Sequence, residues 1–237
     1  MPATEHHDVG PEEDTQRGQE QPDVSRVGLV SDIHANVVAL EAVLRDMPDI
    51  DALVHAGDVV GYGPSPNECI ELLREQEAYS VRGNHDEGLF GGPIYESGDE
   101  YARKTVTNEN RDWLEQCPEE LTLFDGCLKI VHGHPEERFQ YTYPSDFDAD
   151  LIEDENILVL GHTHKQGKEN FETGMVVNPG SVGQPRDFDE RAAYAVLDLN
   201  ACQVSLRRVS YDIDRVMSRI QDSPVAAHNA KRLESGK

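Results

Sequence analysis

A chain of 237 residues with 37% hydrophobic side chains can bury a substantial core in one domain. Its mean hydropathy of -0.61 and the lack of any long apolar run exclude a transmembrane helix. The 46 acidic residues outnumber 21 basic ones, for a formal net charge of -25, which excludes the clustered cationic surface that duplex nucleic acid requires.

Residues 1–25 are rich in Glu, Asp, Gln and Pro and almost without apolar side chains, so they read as a disordered acidic tail, to which His6 and His7 belong. No basic stretch followed by an apolar one marks a secretory leader, and a cytoplasmic protein is the expectation. The domain proper is expected over 26–220. It opens with a short apolar strand, Val27 to Ser31, followed by Val37, Leu40, Leu44 and Met47 at helical spacing. A second strand, Ala52 to Ala56, leads to Ser65-Pro66-Asn67-Glu68, which reads as an N-cap, a proline at the first helical position and a capping-box Glu. Tyr79 to Arg82 is a third strand, and Asp99 to Glu115 is helix-rich.

From Leu121 onward short β runs dominate: Leu121–Phe124, Cys127–His132, Ile157–Gly161, Met175–Asn178, Ala193–Leu199 and Gln203–Val209, then a closing helix near Asp212–Ile220. Residues 221–237 lose periodicity and read as a flexible C-terminal tail. The order βα first and strands afterwards predicts an α/β fold of two sheets packed face to face with helices outside. Four cysteines without a C-x-x-C pair read as buried free thiols. The acidic surface reads as a solvated shell suited to high salt, where self-repulsion is screened.

The strands carry polar residues at their ends. Asp32 and His34 stand two apart, so in extended backbone both would face one side. Gly57-Asp58 follows the second strand, its carboxylate able to bridge two cations, and Gly83-Asn84-His85-Asp86 follows the third. There Asn84 offers a neutral amide oxygen, His85 can act as a proton donor and Asp86 can orient that ring. Val131-His132-Gly133-His134 and Gly161-His162-Thr163-His164 follow later strands, again with paired imidazoles. A single histidine on an apolar strand is more often a core residue than a ligand, but successive strand ends bearing D-x-H, G-D, G-N-H-D and G-H-x-H point jointly to a metal centre.

These ordered motifs resemble those of the calcineurin-like metallophosphoesterases over about Val27 to Leu199. HAGDVVGYGPSPNECIELL, VRGNHD and VVNPGSVGQPRD are similar to the small single-domain YfcE-like phosphodiesterase branch. The resemblance implies a four-layer α/β/β/α sandwich of two mixed sheets. It also implies two divalent cations, manganese foremost with nickel, zinc or iron as alternatives. Asp32, His34, Asp58 and His164 would hold one, and Asp58, Asn84, His132 and His162 the other. His134 stands where the branch commonly has Ser, an extra imidazole beside His132. Two cations about 3.5–4 Å apart would polarise phosphoryl oxygens and turn a bridging water into hydroxide for in-line attack. The implied substrate is a small phosphodiester; a scaffold without activity, a dinucleoside polyphosphate hydrolase and a phosphomonoesterase are the rival readings. Arg186 could reach a substrate phosphate or pair with Asp187 or Asp189.

Overall fold

The computed structural model describes residues 24–237; residues 1–23, with His6, His7 and nearly all of the expected acidic tail, lie outside it. Ten strands form two five-stranded sheets. The first contains β1 (Arg26–Val30), β2 (Ala52–His55), β3 (Tyr79–Ser80), β9 (Ala192–Asp198) and β10 (Gln203–Val209), in the order β10-β9-β1-β2-β3. The second contains β4 (Glu120–Leu123), β5 (Leu128–Val131), β6 (Ile157–Val159), β7 (Gly167–Asn170) and β8 (Met175–Asn178), in the order β4-β5-β6-β8-β7. In the first sheet β1, β2 and β3 pair in parallel out to one edge, with β9 and β10 antiparallel on the other side; in the second, β5, β6 and β8 are parallel at the centre and β4 and β7 pair antiparallel at the margins.

Alternation along the strands builds three apolar layers. Val27, Leu29, Val54, Ala56, Ala195 and Leu197 of the first sheet meet Leu128, Ile130, Ile157, Val159, Met175 and Val177 of the second. The opposite face of the first sheet, with Val30, Leu53, Tyr194 and Val196, packs under α1 (Val37–Asp46), α2 (Pro66–Glu75), α3 (Ser97–Thr105), α4 (Asn108–Gln116), α5 (Ile213–Gln221) and α6 (His228–Leu233). A Cβ at Gly28 would lie 2.5 Å from the Met47 sulfur, so glycine lets the end of α1 settle onto β1. The outer face of the second sheet, Val131, Leu158, Leu160 and Val176, is covered more thinly, by Phe147 and Leu151 near two 3₁₀ turns and by Phe171. The four-layer order expected from the sequence is present, with 3₁₀ turns as its outermost layer on that side.

Several local expectations differ. Ser65 makes no capping hydrogen bond; its hydroxyl accepts from Arg219 instead, while Asn36 caps α1 by accepting from the Ala39 amide at 3.1 Å. The helix-rich stretch is two helices, α4 starting afresh where the Thr107 hydroxyl accepts from the Asn110 amide. Strand β7, with the polar sequence GKEN, escapes the apolar pattern because its pairing comes from β8 at a sheet edge. Where a flexible tail is expected, α6 buries Ala230 and Leu233 against the helical layer. The four thiols are unpaired, but only Cys69 and Cys117 are buried, and Cys202 is exposed. Among the described residues no helix is long and apolar enough to cross a membrane.

Candidate metal centre

The ends of β1, β2, β3, β5 and β6 converge at one rim of the sandwich, so loops from both sheets share a single site. Asp32, His34, Asp58, Asn84, His85, His132, His162 and His164 are all buried there. Three groups of side chains could hold a metal ion: Asp32, His34 and His164; His34, Asp58 and His85; and Asp58, His132 and His162. Asp58 and His34 recur, which makes the groups contiguous. Asn84 Oδ1 lies 3.3 Å from His132 Nε2, at the edge of the last group.

The facing of these residues does not come from strand alternation as the sequence suggests. Asp32, His34, Asp58, His162 and His164 all adopt left-handed backbone, with φ of 52°, 48°, 60°, 65° and 56°. Such conformations are costly for non-glycine residues and persist where surroundings enforce them. The consequence is chemical: His162 and His164 are directed to different groups, one with Asp58 and His132, the other with Asp32 and His34. Gly57 permits the tight turn before Asp58 at φ +93°, where a Cβ would strike His132 Nδ1 at 2.5 Å.

Hydrogen bonding sets the tautomers. His34 Nδ1 donates to the Val60 carbonyl at 2.9 Å, His164 Nδ1 to Gln184 at 2.6 Å, His132 Nδ1 to Ala56 at 2.7 Å, and His162 Nε2 to Phe139 at 3.0 Å. A carbonyl can only accept, so each imidazole commits one N–H outward and keeps its other nitrogen for the centre, the arrangement typical of metal ligands. His34 Nε2 and His164 Nε2 then face each other at 2.9 Å. Burial holds both rings well below the usual histidine pKa, so they are neutral and two lone pairs confront one another. The Asp32 Oδ1 atom, 3.3 Å from His164 Nε2, is buried without a hydrogen-bond donor. Two lone pairs and an unpartnered carboxylate oxygen fit a cation and disfavour its absence.

The second group carries the opposite electrostatic signature. Burial opposes charge on His132, but the Asp58 carboxylate 3.2 Å away outweighs it and raises that ring to about 9. Asp58 is held well below the carboxylate range, since burial is overcome by His132 and His85. Burial and His132 together push His162 down to about 4. A proton on His132 thus neutralises Asp58 where the donor set would otherwise meet a divalent ion. Burial, with Asp58 adding to it, lifts Asp32 to about 6 against the pull of His132.

His85 stands apart from this pattern. Its Nδ1 donates to Asp99 Oδ1 at 2.7 Å, not to Asp86 as expected. Asp86 turns inward, where its carboxylate accepts from the amides of Asp58, Val60 and Gly83 at 2.9, 3.1 and 2.9 Å and so pins the loop that carries the Asp58 carboxylate. Asp99 is anchored at the start of α3 by the Tyr95 and Glu96 amides at 2.8 and 2.9 Å. A Cβ at Gly61, φ +94°, would lie 2.8 Å from His85 Nδ1 and 2.9 Å from Asp99 Oδ1, so only glycine leaves room for this pair. Burial lowers the His85 pKa, but Asp58 and Asp99 prevail and raise it. Asp99 lies 14 residues from His85 without a motif linking them, and only the packing of α3 discloses it.

His134 is excluded from the centre: its Nδ1 accepts from the Glu136 amide at 3.1 Å, and it lines a separate surface cleft with Glu119, Pro135 and Arg138. Arg186 pairs with neither neighbouring aspartate, because Arg208 takes Asp187 and Arg191 takes Asp189 at 2.7 Å. Its guanidinium bonds Gln184 Oε1 at 2.9 Å and lies 5.4 Å from the Tyr62 ring centroid. Tyr62 in turn packs 4.7 Å from both His34 and His85. Tyr62, Tyr95 and Tyr141 are further rim residues that sequence reasoning passes over.

Two five-stranded sheets joined at a rim of buried Asp, Asn and His side chains are the architecture of a metallophosphoesterase, and the profile of the calcineurin-like phosphoesterase superfamily domain matches residues 26–201. The chain belongs to that superfamily. It is 32% identical over 241 residues to Uncharacterized protein MJ0912 of Methanocaldococcus jannaschii, covering 90% of this chain and 99% of that one. It is also 29% identical over 192 residues to Phosphodiesterase YfcE of Escherichia coli, covering 74% and 89%. The crystal structure of a metallophosphoesterase from Sphaerobacter thermophilus superposes with a TM-score of 0.80 at 30% identity, over 91% of this chain and all of that one.

Proposed function

We propose that this protein is a two-metal phosphodiesterase acting on small diesters. The observation that carries the reading is the pair of neutral His34 and His164 nitrogens facing each other at 2.9 Å beside the unpartnered Asp32 oxygen. Asp32, His34, Asp58 and His164 would hold one divalent ion and Asp58, Asn84, His132 and His162 the other. Manganese is the first choice for so mixed an imidazole and carboxylate set. When bound, such a pair of ions polarises the phosphoryl oxygens and acidifies the attacking water.

The chain's own groups do the rest. Asp58, charged and buried between both groups, supplies the shared negative ligand. Arg186, at the Asp32 and His164 side and free of aspartate partners, orients a phosphate oxygen. Water gives up one proton to solvent and adds its oxygen to phosphorus, the P–O bond to the leaving alcohol breaks, and His85 hands its Nε2 proton to the departing alkoxide and is reprotonated from solvent. Asp99 keeps Nδ1–H engaged so that the transferable proton sits on the nitrogen facing the site. The 29% identity to Phosphodiesterase YfcE supports a diester over a monoester, and the charge of -25 suits work in concentrated salt.

Metal-stripped protein resupplied separately with manganese, nickel, zinc and iron, at low and high salt, is expected to hydrolyse bis(p-nitrophenyl) phosphate in preference to p-nitrophenyl phosphate. Two tightly bound metals with no turnover of either ester would favour a scaffold and overturn the proposal.

A further inference from the structure

We propose that Tyr141 and Tyr143 form a stacking shelf for the base of a nucleoside phosphodiester, an inference that rests on the phosphodiesterase reading and names its substrate class. The Tyr141 ring lies flat on His162, centroids 4.2 Å apart and planes within 21°, so the shelf begins one ring away from the metal centre. Tyr143 continues it at 5.9 Å with planes within 9°. The two side chains are 49% and 36% exposed, and among the described residues neither hydroxyl makes a hydrogen bond. His162 takes part of the Tyr141 ring and Lys165 part of the Tyr143 ring, and the exposed remainder of the two near-parallel phenols is the surface a ligand would meet.

The segment is held in place from its backbone. The Phe139 carbonyl accepts from His162 Nε2 at 3.0 Å, the Gln140 amide donates to Glu137 at 2.8 Å, and the Tyr143 amide donates to Asp146 at 3.2 Å. The Lys165 ammonium lies 4.9 Å from the Tyr143 centroid, a donor for a base carbonyl at the outer edge. A nucleoside is a planar ring joined to a phosphodiester by a short arm, which matches a ring surface one residue away from the metal centre. Stacking on tyrosine tolerates any base because each presents a π-face. His85 and its neighbour Tyr95, 50% exposed and 5.2 Å from that ring, lie at the leaving-group end. The nucleoside is therefore the arm retained as a monophosphate while the other alcohol departs.

The test compares two diesters with the same leaving group, thymidine 5′-(p-nitrophenyl) phosphate and methyl p-nitrophenyl phosphate, on the metal-loaded protein. Wild type is expected to prefer the nucleoside ester, and Tyr141→Ala to lower the ratio of the two kcat/KM values about tenfold, through KM of the nucleoside ester, with Tyr141→Phe restoring it. Calorimetric titration with thymidine 5′-monophosphate should show the same loss and rescue. Equal efficiency on both esters in wild type, or an equal fall on both in Tyr141→Ala, would overturn the shelf while leaving the phosphodiesterase standing. Hydrolysis of neither ester with any of the four metals would remove both readings.

Discussion

Two neighbouring carboxylates, Asp86 and Asp99, compete for the role of His85's partner, and their contacts separate them. Asp99 touches the imidazole, whereas Asp86 touches only backbone amides under Asp58. His85→Ala is expected to lower kcat roughly 10²- to 10⁴-fold with both metals retained, which metal analysis beside turnover checks. Asp99→Asn removes a charge that raises the His85 pKa. Activity that needs His85 protonated disappears as pH rises through that pKa, so the alkaline limb of the kcat/KM profile should move to lower pH in this variant. Asp86→Asn acts differently: an amide cannot accept from all three N–H donors, and the mismatch should cost roughly 1–3 kcal/mol of stability along with metal affinity. Full stability and metal content with lost turnover in Asp86→Asn would return the orienting role to Asp86.

At the scale of elements, the C-terminal segment is the piece whose contribution reaches the site. The Ala226 amide donates to the Ser97 hydroxyl at 2.8 Å, Asn229 Nδ2 to the Tyr62 carbonyl at 3.2 Å, and the Gly236 carbonyl accepts from the Phe188 amide at 2.8 Å. Asn229 and Leu233 close a small cavity behind His34 and Tyr62. Deleting residues 223–237 strips Val225, Ala230 and Leu233 from the helical layer, a loss of roughly 3–5 kcal/mol at ordinary burial coefficients. At this chain length that corresponds to a drop of about 10 °C in Tm. Scanning calorimetry of the truncated chain checks it, and an unchanged Tm would restore the flexible tail.

For the whole molecule, the buried titratable groups set the pH response of the metal-free protein. Burial holds His34 and His164 well below their usual value, His55 at about 3 and His162 at about 4, so all four are neutral when folded and take up protons below about pH 6.5 when unfolded. Stability from these four imidazoles is complete above pH 6.5 and declines as pH falls. Asp32 at about 6 and Asp86 at about 7 act in the reverse sense between pH 4 and 7, but two carboxyls do not offset four imidazoles. His132, raised to about 9, contributes stability that is full below pH 6.5 and lost through pH 9. With chelator present, Tm should therefore rise from pH 4.5 to about 6.5 and decline toward pH 9, and added manganese should raise it further near neutrality by mass action. A flat profile over that range would contradict these buried charge states.

Nine of the ten strands, the helices α1, α2 and α5, and the identities of the strand-end donors are legible in the sequence because apolar alternation, helical spacing and polar strand ends are local patterns, whereas the polar edge strand β7 is not. Sequence alone therefore determined that this is an α/β sandwich whose Asp, Asn and His residues gather at one rim. Which atoms meet there was decided by tertiary structure. Left-handed backbone at Asp32, His34, His162 and His164 divides the paired histidines between two groups, against the one-sided arrangement that extended strands imply. Asp99 replaces Asp86 beside His85 because α3 packs over the site, and Tyr141 reaches His162 across 21 residues of chain. These contacts depend on distances between residues remote in sequence, which no periodicity encodes, and they arise only once both sheets and the helical layer are packed.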